Sequence, residues 1–134
     1  MPYNVEWLMK DRIFEIHASG VVTLEEMEAY SSTIISMLEQ SPYPLIHAIA
    51  DDAHVESFPR LALFSKIPWL RHPKMGWLVS YGIDQPVARF VGHTAGQITR
   101  LRLRLVKDYD EAIEFLQYVD VTLPDLNQFD QSTQ

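Results

Sequence analysis

Leu45-Ile46-His47-Ala48-Ile49-Ala50, followed at once by Asp51-Asp52, is the stretch on which the fold turns. A strand with one wet face alternates apolar and polar residues, and this run is nearly continuously apolar. Such a run suits a central strand covered on both faces, the kind found in parallel sheets flanked by helices. The residues before it agree. Leu24, Met27, Ile34, Met37 and Leu38 recur at helical spacing and predict one long helix from about Leu24 to Glu39, stopped by Ser41-Pro42-Tyr43-Pro44. Thr23-Leu24-Glu25-Glu26 opens that helix with a capping box, in which the threonine oxygen and the Glu26 carboxylate satisfy free amide protons. Acids in the first turn also suit the positive end of the helix dipole.

Further upstream, Tyr3, Val5, Trp7 and Met9 alternate with Asn4 and Glu6, the period of a half-exposed strand. Lys10-Asp11 is a polar turn, and Arg12 to Ala18 reads as the second arm of a hairpin, with Glu15 and His17 on a face that meets water. Downstream of the central run, a loop is expected through Glu56 and Ser57. Pro59 then opens a second helix carrying Leu61, Leu63, Phe64 and Ile67, ended or kinked by Pro68. Met75 to Tyr81 is a further strand, Gly82-Ile83-Asp84 a turn, and Pro86 to about Ile98 a third helix. In Arg100 to Val106, Leu101, Leu103 and Leu105 fall on one face and Arg100, Arg102 and Arg104 on the other. Asp108-Tyr109-Asp110-Glu111 caps a last helix bearing Ala112, Ile113, Phe115, Leu116 and Val119. The order β-β-α-β-α-β-α-β-α makes this an α/β chain with a mixed, mostly parallel sheet opened by an antiparallel hairpin. Residues 1–123 are expected to form one domain and 124–134 a polar, frayed tail.

A chain of 134 residues, 47% hydrophobic and 22% charged, can bury one core without disulfides or a structural metal. It has no cysteine, which removes disulfide frameworks, thiolate nucleophiles and cysteine zinc sites together. The N-terminus lacks the basic start and apolar run of a secretory signal, and no apolar stretch approaches the roughly 20 residues that cross a bilayer. The expectation is a cytoplasmic protein with no membrane span. The net charge of −7 hides an asymmetry. Between Arg60 and Lys107 nine basic residues stand against the single acid Asp84, a surplus of eight; elsewhere two basic residues stand against seventeen acids, a deficit of fifteen. Either the two sets interleave in space, or they form a basic face for an anionic ligand or acidic partner.

Several segments together resemble a known group. Gly20-Val21-Val22-Thr23 precedes an acidic helix start, the central strand ends in Asp51-Asp52, and Arg102-Leu103-Arg104-Leu105 leads to Ala112-x-x-Phe115-Leu116. In these features, and in its element order from Tyr3 to Val119, the chain resembles the SpoIIAA-like or STAS-like group of small bacterial domains. The resemblance implies a four- or five-stranded sheet with helices mainly on one face. It also implies a non-enzymatic role through partner proteins or a small ligand. One branch of that group carries a phosphorylatable serine in an acid-serine-serine-glycine pattern just beyond the central strand. Here Asp52-Ala53-His54-Val55-Glu56-Ser57-Phe58-Pro59-Arg60 lacks that pattern, and Ser57 lies a few residues early, so phosphoregulation is not carried over. The chain is similar to the uncharacterised branch.

Four segments carry the candidate chemistry. Asp51, Asp52, His54 and Glu56 are the densest ionisable cluster, beyond the end of a central strand where ligands of open α/β sheets bind. They read either as oxygen and nitrogen donors for a divalent ion or as a solvated loop, and no metal is assigned. Ala88, Gly92 and Gly96 recur every four residues, leaving one helix face almost without side chains. That face is either a close-packing surface or a ligand floor beside Arg89, His93 and Gln97. Arg100, Arg102 and Arg104 project in a row roughly 7 Å apart, fit to grip carboxylates or phosphates, or simply to keep an exposed strand from aggregating. Trp69 and Trp77 flank Arg71, His72 and Lys74, as core residues or as an aromatic wall. His17 and His47 have no nearby serine and acid of a nucleophilic triad, and no Gly-x-Ser-x-Gly elbow exists. An acidic chain without interleaved aromatic and basic residues is a poor nucleic-acid binder.

The expectation is a non-catalytic, homodimeric interaction module without cofactors, meeting itself or an acidic protein surface through Trp77, Arg89, His93, Gln97, Arg100, Arg102 and Arg104. The alternative is a binding domain for a small anionic or lipid-like ligand.

Overall fold

The computed structural model describes residues 3–57, 67–82 and 102–124. Five strands, β1 (Tyr3–Met9), β2 (Ile13–Val21), β3 (Ile46–Ser57), β4 (Met75–Tyr81) and β5 (Leu103–Val106), form one sheet in the order β1-β2-β3-β4-β5. Only the β1–β2 pair is antiparallel; the other three pairings are parallel. The hairpin turn places Asp11 at φ 69, a left-handed conformation that aspartate tolerates better than most residues. The helices expected after Pro59 and Pro86, and the tail beyond Pro124, lie outside the described residues.

The expected long helix is two, α1 (Leu24–Ala29) and α2 (Ser31–Gln40), with a break at Tyr30. Apolar spacing correctly identified the buried face, since Met27, Ile34 and Leu38 all point inward. It did not register that Ser31-Ser32-Thr33 are weak helix formers, which compete with the backbone for hydrogen bonds. The capping box forms as read: the Glu26 N–H donates to Thr23 Oγ1 at 3.1 Å and the Thr23 N–H to Glu26 Oε1 at 3.3 Å. A 3-10 turn, Pro68–Arg71, follows the first undescribed stretch. The last helix, α3 (Tyr109–Val119), starts under Asp108, whose Oδ1 accepts from the Glu111 N–H at 2.9 Å.

The sheet separates two cores. Phe14, Ile16, Ile46, Ala48 and Ala50 pack against α1, α2 and the 3-10 turn, where Trp69 is fully buried with its ring edge-on to Phe14. On the opposite face Ile13, Ile49, Val79 and Val106 meet Ala112, Ile113 and Leu116 of α3. Alternate residues of one apolar run therefore serve different cores, which is why β3 reads as continuously apolar.

The largest departure from expectation is the length of β3. The stretch through Glu56 and Ser57, expected as a loop, is strand. β4 stops pairing at the Asp51–Tyr81 position, but β2 continues alongside β3 through Ser19–His54, Gly20–Val55 and Val21–Ser57. This two-stranded extension runs past the body of the sheet, where most side chains meet water. Polar residues are therefore admissible within it. Gly20 sits at φ 67, beside a shift in register between Gly20 and Val21, a backbone conformation that costs glycine little.

Candidate functional site

Strand polarity sorts the Asp51-to-Glu56 residues. Asp52 points toward the α1 and α2 side, 6% exposed, and accepts a hydrogen bond from the Ser80 hydroxyl. Burial pushes its carboxyl up to about 6, against the weaker pull of the Ser80 bond. Asp51 points to the α3 side, and His54 and Glu56 are exposed on the β2–β3 extension. The four residues do not converge. Among the described residues no set of three histidine, aspartate or glutamate side chains is placed to hold a metal ion.

Asp51 instead joins a cross-strand cluster on the α3 face of the sheet. His17 Nδ1 lies 3.7 Å from Asp51 Oδ2, and His17 Nε2 lies 3.5 Å from Glu15 Oε2 and 3.7 Å from Glu6 Oε1. The β1–β2 register pairs Glu6 with Glu15, and the β2–β3 register pairs His17 with Asp51. The expectation that Glu15 and His17 face water holds for the half-exposed His17 and fails for Glu15, which is 7% exposed. Burial raises the Glu15 pKa, and His17 opposes that rise. Acidic charge thus gathers on β1 to β3.

Basic charge gathers at the far side. Arg102 and Arg104 are exposed just before and within β5. Arg104 lies over the Phe115 ring at 5.1 Å, and the half-buried Trp77 meets that ring edge-on at 4.9 Å. Three residues of β4, β5 and α3 therefore stack, and the structure brings together two predicted site residues, Trp77 and Arg104. No carboxylate among the described residues lies within salt-bridge distance of Arg102 or Arg104. Arg89, His93, Gln97 and Arg100 lie outside the described residues, as does the Ala88, Gly92 and Gly96 face.

One cluster was not anticipated. At the start of the parallel strands, His47 is 1% exposed and both its ring nitrogens are occupied. The Trp77 backbone N–H donates to Nδ1 at 3.0 Å, so the ring proton sits on Nε2 and is donated to Asp120 Oδ2 at 2.8 Å. Arg12 Nη2 donates to Thr122 Oγ1 at 2.7 Å and reaches the same Asp120 oxygen at 3.4 Å, while its guanidinium covers the Tyr43 ring. Burial lowers the His47 pKa, outweighing the bond and charge of Asp120. Asp120 loses some hydration, but hydrogen bonds from Thr122 and His47 hold it at about 2. With both nitrogens committed, this histidine fastens the end of α3 to the sheet. His47 stood out as a polar residue in an apolar run, but Asp120 is 73 positions away, beyond any local pattern.

The arrangement has a counterpart among solved structures. An uncharacterised protein of the DUF3478 family from Shewanella loihica PV-4, with a SpoIIAA-like fold, superposes with a TM-score of 0.63 over 85% of this chain and 91% of its own. The chain has a SpoIIAA-like fold. Identity to that SpoIIAA-like neighbour is 18%, so the likeness extends to architecture. No family model and no curated protein matches the chain. The fold class agrees with the SpoIIAA-like resemblance read from the sequence: five strands in a mixed, mostly parallel sheet, with α1, α2 and the 3-10 turn on one face and α3 on the other. Among the described residues, no helix is long and apolar enough to cross a membrane.

Proposed function

We propose that this chain is a non-catalytic, cytoplasmic interaction module of the STAS-like type that acts as a homodimer. One observation carries the reading: the charges of the strands separate across the sheet, while Asp108, Asp110, Glu111 and Glu114 belong to the start and body of α3. Glu6, Glu15 and Asp51 surround His17 on β1 to β3, while Arg102 and Arg104 lie at β5, the opposite end of the strand order. In a two-fold pair each copy presents both surfaces, so acid meets base twice. The inward polar groups support the same reading, because buried His47 and Asp52 and half-buried Asp120 are hydrogen-bonded within the fold rather than aimed at a substrate.

Native mass spectrometry of the wild type and of the double variant Arg102→Glu, Arg104→Glu tests this. A dimeric parent and a monomeric, folded variant are expected. A monomeric parent, or a variant that dimerises as well as the parent, overturns the proposal.

The Trp77, Phe115 and Arg104 stack favours a second reading, a binding site for a small anionic or lipid-like molecule. Oleate that protects the parent against thermal unfolding, and protects Arg104→Glu no longer, would support it; equal protection of both would end it.

A further inference from the structure

We propose that His47 is an acid-sensitive latch: its protonation releases the segment after α3, residues 120–123, from the sheet while the strands stay paired. This inference does not depend on the homodimer.

The argument rests on geometry. The segment is held to the sheet by polar contacts that converge on one side chain. Asp120 accepts from His47 Nε2 at 2.8 Å and is approached by Arg12 Nη2 at 3.4 Å, which also binds Thr122. Within the segment the Thr122 N–H donates to Asp120 Oδ1 at 3.0 Å, so its turn is built around the same carboxylate. Leu123, 9% exposed, is carried into the α3 core by that turn. On its other side His47 is fixed by the Trp77 N–H, which needs a lone pair on Nδ1. A proton on Nδ1 would face that N–H donor head-on. The ring is enclosed, 1% exposed, and lies directly against Gly76, where a Cβ would come within 2.4 Å of Nδ1. The imidazolium must therefore leave its niche, and Asp120 loses its shortest bond to the sheet.

The charged groups around the ring, among the described residues, act in two directions. Asp120 favours the cation; Arg12, at the start of β2, and Arg102, ahead of β5, oppose it. Lys74 and His72, on the approach to β4, are turned elsewhere, to the Ser41 carbonyl and toward Glu39 at 4.0 Å. Burial decides the balance against the charged ring. The folded protein then binds the His47 proton less readily than an opened one, so acid favours opening as pH falls below 6.5, the ordinary histidine value. Opening locally costs less than opening globally, because the strands before and after His47 keep their own backbone pairing.

Two measurements on the wild-type protein and one variant test the latch. Nitrogen-15 NMR should find His47 protonated on Nε2 alone at pH 7.5, and titrating below 6.5. Hydrogen exchange, corrected for intrinsic rates, should show protection of the Asp120, Thr122 and Leu123 amides falling at least tenfold between pH 7.5 and 5.0, while 13–18 and 46–50 stay protected. His47→Gln offers one donor and one acceptor without titrating, and should make that protection independent of pH. A His47 pKa above 6.5 overturns the proposal. So does protection of 120–123 that is constant with pH, falls together with the strands, or falls equally in His47→Gln.

Discussion

Two buried side chains show how a single residue answers to the space around it. Gly76 is small because His47 lies against it: a Cβ there would come within 2.4 Å of Nδ1 and 3.3 Å of the Ile46 carbonyl. Both ring nitrogens are held, so the ring cannot yield cheaply. Gly76→Ala is expected to cost about 3 kcal/mol in urea unfolding, the scale of an overpacked core; a loss near zero would show that the ring can move. Asp52 presents the opposite case, a charge that the fold would rather not hold. Its pKa is about 6 in the folded protein against an ordinary value of 3.8, so the folded state binds the proton more tightly than the unfolded chain. Stability from this group is full below pH 3.8 and is lost as pH rises through about 6. Asp52→Asn keeps an acceptor for Ser80 and abolishes the charge. It should stabilise the protein at pH 8 by on the order of 2 kcal/mol and change little at pH 4. Denaturant titrations at the two pH values decide it, and an Asn variant no more stable than the parent at pH 8 would contradict the account. His47 has the reverse sign, stabilising as pH rises through its window, so the two groups pull stability in opposite directions across mild acid.

At the scale of elements, the joint between α1 and α2 carries an evident weakness. Ser31 opens α2 with its side chain buried and its hydroxyl without a partner. A buried, unsatisfied hydroxyl is costly, and alanine is the better helix former. Ser31→Ala should therefore raise stability by about 1 kcal/mol in chemical denaturation; a loss of that size would reveal a bonded hydroxyl. The starts of α1 and α3 were legible because Thr23 with Glu26, and Asp108 with Glu111, act over three residues, whereas α2 starts at Ser31 without a side-chain cap. The bounds of β1 and β4 were legible too, but the far end of β3 was not. β3 runs seven residues past Ala50 because β2 pairs alongside it, and a partner strand leaves no mark in the residues it pairs with.

For the molecule as a whole, the charge asymmetry of the sequence reappears on the described strands, as acids on β1 to β3 and arginines at β5, with Asp108 at the cap of α3 and Asp110, Glu111 and Glu114 within it beyond them. An association built on such surfaces is screened by salt and depends on it through the encounter rate. The proposed dimer should therefore dissociate more readily at 500 mM than at 50 mM sodium chloride. Sedimentation velocity at both salt levels measures this, and an association that tightens with salt would point to an apolar interface instead.

By itself the amino-acid sequence determined the layered α/β class, the opening hairpin, the helix caps, the alternating leucines and arginines of β5 and the imbalance of charge. Each of these is written in neighbours a few positions apart, where periodicity and capping chemistry act. Only the tertiary structure decided that Asp51 and Asp52 part to opposite faces, that Glu15 is buried beside His17, and that Arg12, His47, Asp120 and Thr122 meet. Those outcomes depend on which strands pair and where the last helix lands. Parallel pairing joins residues tens of positions apart, and burial, which shifts the pKa values of His47 and Asp52, exists only once the layers have closed.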